Sequence, residues 1–315
     1  MKKQKPSIGI SHYNYALPSK RMSIDELAAD GKVTSEVAFL RDTGFENSYL
    51  LSKDESAYKL VRECAAATIA ESSIDRDQID TLFLYRGVPK QQAKDKELLD
   101  RFSYPVAQLA DDLGLTRVRP LAVSQQGCGG LFSVIDIAQD ILQTNSKKAI
   151  LCVAVDILPA DNREVMYNVM SDAAGAFLIT KESDRNAIIN FHQQFQSYYW
   201  EAKEREQELL SAYFPRAQQT IEKSLRLANV NISDVDWVVP HNINRRSWEV
   251  LSGLLDISQE KIWIDNIARV GHTVSCDHII NLHDMEAGGV INQGDILLLF
   301  TFGFGANWSC LLLEY

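Results

Sequence analysis

A cysteine, two histidines and an aspartate stand where side chains of their types could do chemistry. Cys128 lies in "VSQQGCGGLFSVIDIAQDIL", between a strand-like and a helix-like run, with Gly127, Gly129 and Gly130 around it. Glycines at such a corner permit the sharp backbone that lifts a side chain out of a sheet. The start of a helix also favours the anion of a group placed there. That is a setting for a nucleophilic thiolate. It equally suits a small residue filling a tight turn, because free cysteine often behaves as a core residue. His241 follows the apolar run and proline of "DVDWVVPHNINRRSWEVL", at the carboxyl end of a strand, where α/β proteins place reactive groups. Its alternative is a loop histidine bonded to backbone.

His272 follows Gly271 in "NIARVGHTVSCDHIINLHD", with Asp277 five positions on. Asp277 taken alone reads as an acid in the first turn of a helix. His278 and His283 enrich the segment in histidine, but their spacing is not the i, i+4 of HExxH, so no metal site is expected. In "LLLFTFGFGANWSCLLLEY", Gly303 and Gly305 lie between the apolar runs, and such glycines let a backbone N–H come close to a reacting atom. Arg245 and Arg246 form a cationic spot that reads as a solvated helix face or as a docking point for an acidic carrier. Cys64, Cys152 and Cys310 sit in apolar runs and read as core, and Cys276 as a packing or solvent residue beside the site.

The elements that must position these residues alternate between helix and strand, which predicts an α/β chain with buried sheets. "AYKLVRECAAATIAESS" is helical and "IDTLFLYRG" a buried strand. "SYPVAQLADDLG" is a helix and "VRPLAVSQQ" a strand. The run after Cys128 is a helix with Leu131, Val134, Ile135, Ala138 and Leu142 on one face. "KAILCVAVDIL" and "GAFLITK" are further strands. Residues 57–84 and 217–240 share a pattern of amphipathic helix, polar turn, acidic link and apolar strand. The pattern reads as two related halves joined near 182–187, or as chance likeness between two αβ units.

Composition bounds the partners. Of 315 residues, 46% are hydrophobic and 23% charged, ordinary for a soluble globular chain. A net charge of -10 argues against nucleic acid or an anionic membrane as the main partner. The lysines near the start precede no apolar segment, so no secretory signal is expected. No apolar run reaches the roughly 18 residues a membrane span needs. Five scattered cysteines without CxxC spacing predict a reduced, cytoplasmic chain with neither disulfides nor zinc.

Together, "QGCGGLFSVIDIA", "SDAAGAF", "VPHNINRRSWEVL", "RVGHTVSCDHIINL" and "FGFGANWSCLLLEY" resemble β-ketoacyl-acyl-carrier-protein synthase III, with "RDTGF" near residue 41 similar to that family's N-terminal turn. The resemblance covers nearly the whole chain. It implies the thiolase-like fold, two related α/β halves in a five-layered α-β-α-β-α arrangement, usually a homodimer. The halves would be residues 1–184, carrying the nucleophile, and 185–315, carrying the histidines. It implies that Cys128 takes an acyl group from a carrier thioester, that His241 is the first catalytic histidine, and that the N–H groups of Cys128 and Gly305 form the oxyanion hole. Asp172 and Gly175 match a structural segment with no assigned chemistry.

The departures from that pattern carry the functional expectation. Elongating members have "GNT" where this chain has "GHT", so His272 takes the place of an asparagine. If Asp277 holds its Nδ1–H, Nε2 becomes an acceptor and His272 a general base. A histidine and aspartate at this spacing are similar to synthase III-like acyltransferases of bacterial natural-product pathways. "ENSY" after "TGF" lacks the arginines expected at a coenzyme A entrance, which favours a carrier-bound acyl donor.

The expected function is therefore transfer of an acyl group from acyl-ACP or acyl-CoA, through Cys128, to a small-molecule alcohol, amine or other acceptor. Cys128, His241, His272 and Asp277 would be catalytic, with no bound cofactor. One alternative is decarboxylative Claisen condensation with His241 and His272 as donors. An alternative of another class is a non-catalytic subunit of a ketosynthase heterodimer.

Overall fold

The computed structural model describes residues 7–88 and 104–315. The lysines at positions 2, 3 and 5, and Ser103 of the expected helix, lie outside the described residues. The strands are β1 (Ile8–Ala16), β2 (Lys20–Ser23), β3 (Asn47–Leu50), β4 (Ile79–Arg86), β5 (Arg119–Ser124), β6 (Ala149–Asp156), β7 (Glu164–Val165), β8 (Asn168–Val169), β9 (Ala173–Lys181), β10 (Ala187–Phe195), β11 (Trp237–Pro240), β12 (Ile296–Gly303) and β13 (Asn307–Glu314). The helices are α1 (Ile24–Ala29), α2 (Val37–Asp42), α3 (Ala57–Glu71), α4 (Pro105–Asp112), α5 (Gly130–Thr144), α6 (Glu206–Ala228), α7 (Arg245–Leu255), α8 (Asp265–Val270) and α9 (Asp277–Ala287).

Nine strands form one mixed sheet system in the order β11-β12-β13-β10-β1-β9-β6-β4-β5. Its middle is thin, because β1 and β10 are in register through the single pair Gly9 and Ala187. On either side the arrangement repeats. β4 and β6 are parallel, β6 and β9 antiparallel, and β9 and β1 antiparallel. β11 and β12 are parallel, β12 and β13 antiparallel, and β13 and β10 antiparallel.

Period-two burial sorts the strand residues into layers, since alternate side chains point to opposite faces. In β6, Ile150, Cys152 and Ala154 face a central core shared with α5 and α9. Leu151, Val153 and Val155 face an outer core with α3 and α4. In β12, Leu297 and Leu299 face the central core, whereas Leu298 and Phe300 join α6 and α7 on the other outer side. Three helix layers thus alternate with two sheet layers. Both faces of these strands are covered, so they are continuous apolar runs without polar alternation.

The segment around β7–β9 is pinned by a buried ion pair. Arg163 meets Asp172 at 2.6 and 3.0 Å through its two terminal guanidinium nitrogens, and both side chains are almost wholly enclosed. The Asp172 carboxylate also accepts the N–H groups of Leu51 (2.7 Å) and Leu158 (2.9 Å). Removing one partner of such a pair leaves an uncompensated buried charge. Asp172→Asn should therefore lower unfolding free energy in urea by about 3–5 kcal/mol. A change under about 1 kcal/mol, the range of surface pairs, would show that the pair is not structural.

Candidate active site

The turn carrying Cys128 forms where β5 ends and the chain reverses into α5. Gly127 has φ +51°, and a methyl group on it would lie 2.6 Å from the Phe304 nitrogen. At Gly129 a methyl group would meet the Asn307 Oδ1 at 1.7 Å. Side chains are excluded at both places, so the loop between β12 and β13 lies directly against the cysteine turn. Asn307 fastens it by donating to the Gln126 carbonyl at 3.0 Å. Cys128 itself is half-buried, in a short turn of 3-10 helix just ahead of α5. Its neighbours include the small apolar group of Leu158, Met170 and Val274.

His272 comes from the other half of the chain and is docked by its own backbone. Gly271, with φ +80°, ends α8. The His272 N–H then donates to the Val169 carbonyl and its carbonyl accepts from Ser171 N–H, each at 2.8 Å. This two-bond clasp brings Nε2 to 3.3 Å from the Cys128 sulfur. On the other side of the ring, Nδ1 donates to Asp277 Oδ2 at 2.5 Å. Asp277 is the first residue of α9, so the helix-start reading and the partner reading are both correct. Its carboxylate also accepts from Thr273 N–H (2.7 Å), Thr273 Oγ1 (2.6 Å) and Asn242 N–H (2.7 Å).

These contacts set the charge states. Burial alone would lower the His272 pKa, but the charges of Asp277 and Cys128 and their hydrogen bonds overcome it and raise the value well above 6.5. Burial likewise opposes ionisation of Asp277, and the His272 charge and the hydrogen bonds from His272 and Thr273 hold it below 3.8. A line of Cys128, imidazole and carboxylate in hydrogen-bond contact can move a proton between sulfur and nitrogen with the carboxylate fixing the tautomer.

His241 follows β11 and is buried. Its Nδ1 is 3.1 Å from the Phe300 carbonyl, which can only accept, so Nδ1 carries the proton. Burial first, then the charges of His272 and His278, push its pKa well below 6.5, so the ring is neutral and Nε2 is a bare lone pair. That Nε2 is enclosed and has no partner among the described residues. The ring lies 6.1 Å, centroid to centroid, from that of His272. His278 donates to the same Phe300 carbonyl at 3.1 Å, and burial pushes its pKa down to about 4.

Cys128, His272 and Asp277 are brought into direct contact and His241 beside them. The Gly303–Gly305 loop lies against the turn, with Gly305 nearest to Gln125. Arg245 and Arg246 begin α7 and are paired within the chain, Arg245 with Glu249 at 3.2 Å and Arg246 with Asp42. Cys64, Cys152, Cys276 and Cys310 are buried. His283 contacts Asp284 at 3.0 Å, outside the site. Sequence reasoning missed Thr273, Asn242 and the Phe300 carbonyl. The first two adjoin recognised histidines, which was the available signal; a backbone carbonyl leaves none.

Two family models match the chain, 3-oxoacyl-[acyl-carrier-protein] synthase III over residues 124–197 and its C-terminal counterpart over 225–315, together more than half of it. The β-ketoacyl-[acyl-carrier-protein] synthase III of Rickettsia felis is 24% identical, covering 95% of this chain and 96% of the relative. The crystal structure of 3-oxoacyl-[acyl-carrier-protein] synthase III from Aquifex aeolicus superimposes with a TM-score of 0.84 at 20% identity, over 98% of this chain and 100% of that one. The structure of ChlB3, described as an acyltransferase, gives 0.84 at 19% identity over 98% of each chain. Fold, thiol site and these matches define a thiolase-superfamily transferase. The chain belongs to the β-ketoacyl-acyl-carrier-protein synthase III-like family.

Because the His272 pKa is raised, its stabilising contribution is complete below pH 6.5 and is lost as pH rises through the raised value. Asp277 contributes stability that is complete above 3.8 and lost as pH falls through its depressed value. Imidazole nitrogen NMR at pH ~7 should therefore find His272 protonated and His241 neutral. In Asp277→Asn, the His272 pKa should fall. A neutral His272 in the wild type at that pH would refute the ion-pair assignment.

Proposed function

We propose that the protein is an acyltransferase in specialised metabolism, moving an acyl group from a carrier thioester through Cys128 to a protic acceptor. The observation that carries this reading is the orientation of His272, with Nδ1–H on Asp277 and Nε2 on the Cys128 sulfur. In the first step the Cys128 thiolate attacks the thioester carbonyl, and the His272 proton goes to the leaving carrier thiolate. The acyl-enzyme is left with His272 neutral, its Nε2 free. In the second step Nε2 takes the acceptor's proton as the acceptor attacks, and the Cys128 thiolate departs, restoring the starting pair. The N–H groups of Cys128 and Gly305 would bind the oxyanion in each step. The close approach of the Gly303–Gly305 loop to the turn supports that placement.

Either acyl-ACP or acyl-CoA supplies the acyl group in this reading, and no bound cofactor takes part. The acidic surface of a carrier protein would compete with Asp42 and Glu249 for Arg246 and Arg245. The functional unit would be a cytoplasmic homodimer, each chain divided into halves 1–184 and 185–315.

A second reading is decarboxylative condensation, favoured by the relatives named β-ketoacyl synthase III along nearly the whole chain. That chemistry needs two donors at the thioester oxygen. His241 supports it poorly, because its Nε2 bears a lone pair and burial keeps the ring neutral.

The test is single-turnover transfer from enzyme acylated at Cys128, offering malonyl carrier protein, alcohols and amines and recording carbon dioxide and acylated products. We expect transfer without carbon dioxide, and a loss of about 10²-fold or more in His272→Ala and Asp277→Asn, the usual worth of a general base. Carbon dioxide release that is indifferent to Asp277→Asn would establish condensation instead. Absence of any acyl adduct at Cys128 would make the chain a non-catalytic subunit.

A further inference from the structure

One buried amide beside the thiol has no part in the steps above. Asn307, the first residue of β13, pairs in register with Gly303, the last of β12. The two close a hairpin whose loop is Phe304, Gly305 and Ala306. Gly305 is the middle of that short loop, so the place of its N–H depends on how the base of the hairpin is held.

The base is pressed onto the nucleophile turn. A methyl group on Gly303 would lie 2.2 Å from the Gln126 carbonyl oxygen and 2.7 Å from the Gly129 nitrogen, on either side of Cys128 in sequence. Asn307 is almost wholly buried at this contact. Its Nδ2 donates to the carbonyls of Gln126 (3.0 Å) and Gly303 (3.4 Å), one on the turn and one on the hairpin. Both can only accept, so the orientation of the amide is forced. Its Oδ1 accepts from Gln193 Nε2 on β10 and from Ser309 Oγ, each at 3.4 Å.

Both hydrogens and both lone pairs of this amide are thus used. Such a bridge resists being opened, because a buried polar group left unpaired costs about 1–3 kcal/mol. It is also uncharged at every pH, whereas the ionisation of His272 is set by the charges of Asp277 and Cys128. The bridge can fix geometry without fixing how much of the thiol is thiolate.

We propose that Asn307 is the positioning residue of the oxyanion hole: by tying the hairpin base to the cysteine turn, it holds the Gly305 and Cys128 N–H groups in register with each other. The inference rests on the acyltransferase reading and on the oxyanion donors named there. Donors fixed in advance stabilise a developing oxyanion without reorganising as the reaction proceeds.

The experiment compares two reactions of one sulfur, each read by mass spectrometry of the Cys128 peptide after reaction of the full chain. Iodoacetamide is attacked at its methylene carbon, where the thiolate displaces iodide and no oxyanion forms. Acetyl-, butyryl- and octanoyl-CoA are attacked at the carbonyl, and the tetrahedral oxyanion then expels the coenzyme A thiolate, which takes the His272 proton. In Asn307→Leu, which keeps nearly the shape of the side chain, we expect acylation to fall about 10²-fold, the cost of misplacing a reacting group by about 1 Å. Alkylation should stay within about threefold of wild type, since free-energy losses confined to the acyl transition state leave it untouched. Gln193→Ala removes one donor to Asn307 and should show the same selective loss at about tenfold. It decides alone if the melting temperature shows that Asn307→Leu does not fold. Parallel falls in the two rates, or acylation close to wild type in the variants that fold, overturn the inference while leaving the acyltransferase reading in place. Wild-type enzyme that is alkylated at Cys128 but takes an acyl group from none of the three donors overturns both.

Discussion

The site hangs on one buried carboxylate. Ionising Asp277 away from water is costly unless every lone pair finds a donor. Four donors meet it, from Thr273 twice, from Asn242 and from His272. They come from the loop after β11 and from the His272–Thr273 stretch that reaches Cys128, and the carboxylate itself stands at the start of α9. Satisfying the carboxylate therefore fixes the relative placement of three segments. Asn242 extends the constraint, since its side chain donates to the Gly271 carbonyl at 3.2 Å and accepts from Asn281 at 2.9 Å. Asn281 in turn holds the Pro240 carbonyl at 2.8 Å. The two histidine-bearing loops are bonded to one another before either meets a substrate.

Two imidazoles about 6 Å apart end in opposite charge states. Proximity alone would make each lower the other. Asp277 and the sulfur decide in favour of His272, and burial with a carbonyl partner decides against charge on His241. The difference arises from what stands behind each Nδ1: a carboxylate for one, a peptide oxygen for the other. A site that held two charged rings would repel itself, and one with two neutral rings would lack the ion pair with Asp277.

Much of this was legible in residue order. The apolar runs of β6, β9, β12 and β13 announce strands buried on both faces, and the glycines around Cys128 announce a turn too crowded for side chains. The five-residue spacing of His272 and Asp277 placed the carboxylate behind the ring. The sequence could not show the clasp of His272 on Val169 and Ser171, because it joins backbone groups about a hundred residues apart whose side chains play no role in it. Asp172 reads from sequence as part of a structural segment, but its ion-pair partner emerged only with the position of Arg163.

The Phe300 carbonyl accepts from both His241 and His278, so a peptide oxygen dictates which nitrogen of each ring bears hydrogen. That instruction is written in strand alignment and in no side chain. Alanine scanning would pass over it, since replacing Phe300 alters packing and leaves the oxygen where it was. A one-residue slip of β12 against β11 would turn that oxygen away and exchange the strand's two faces without altering a single functional residue. In this site, protonation is inherited through register.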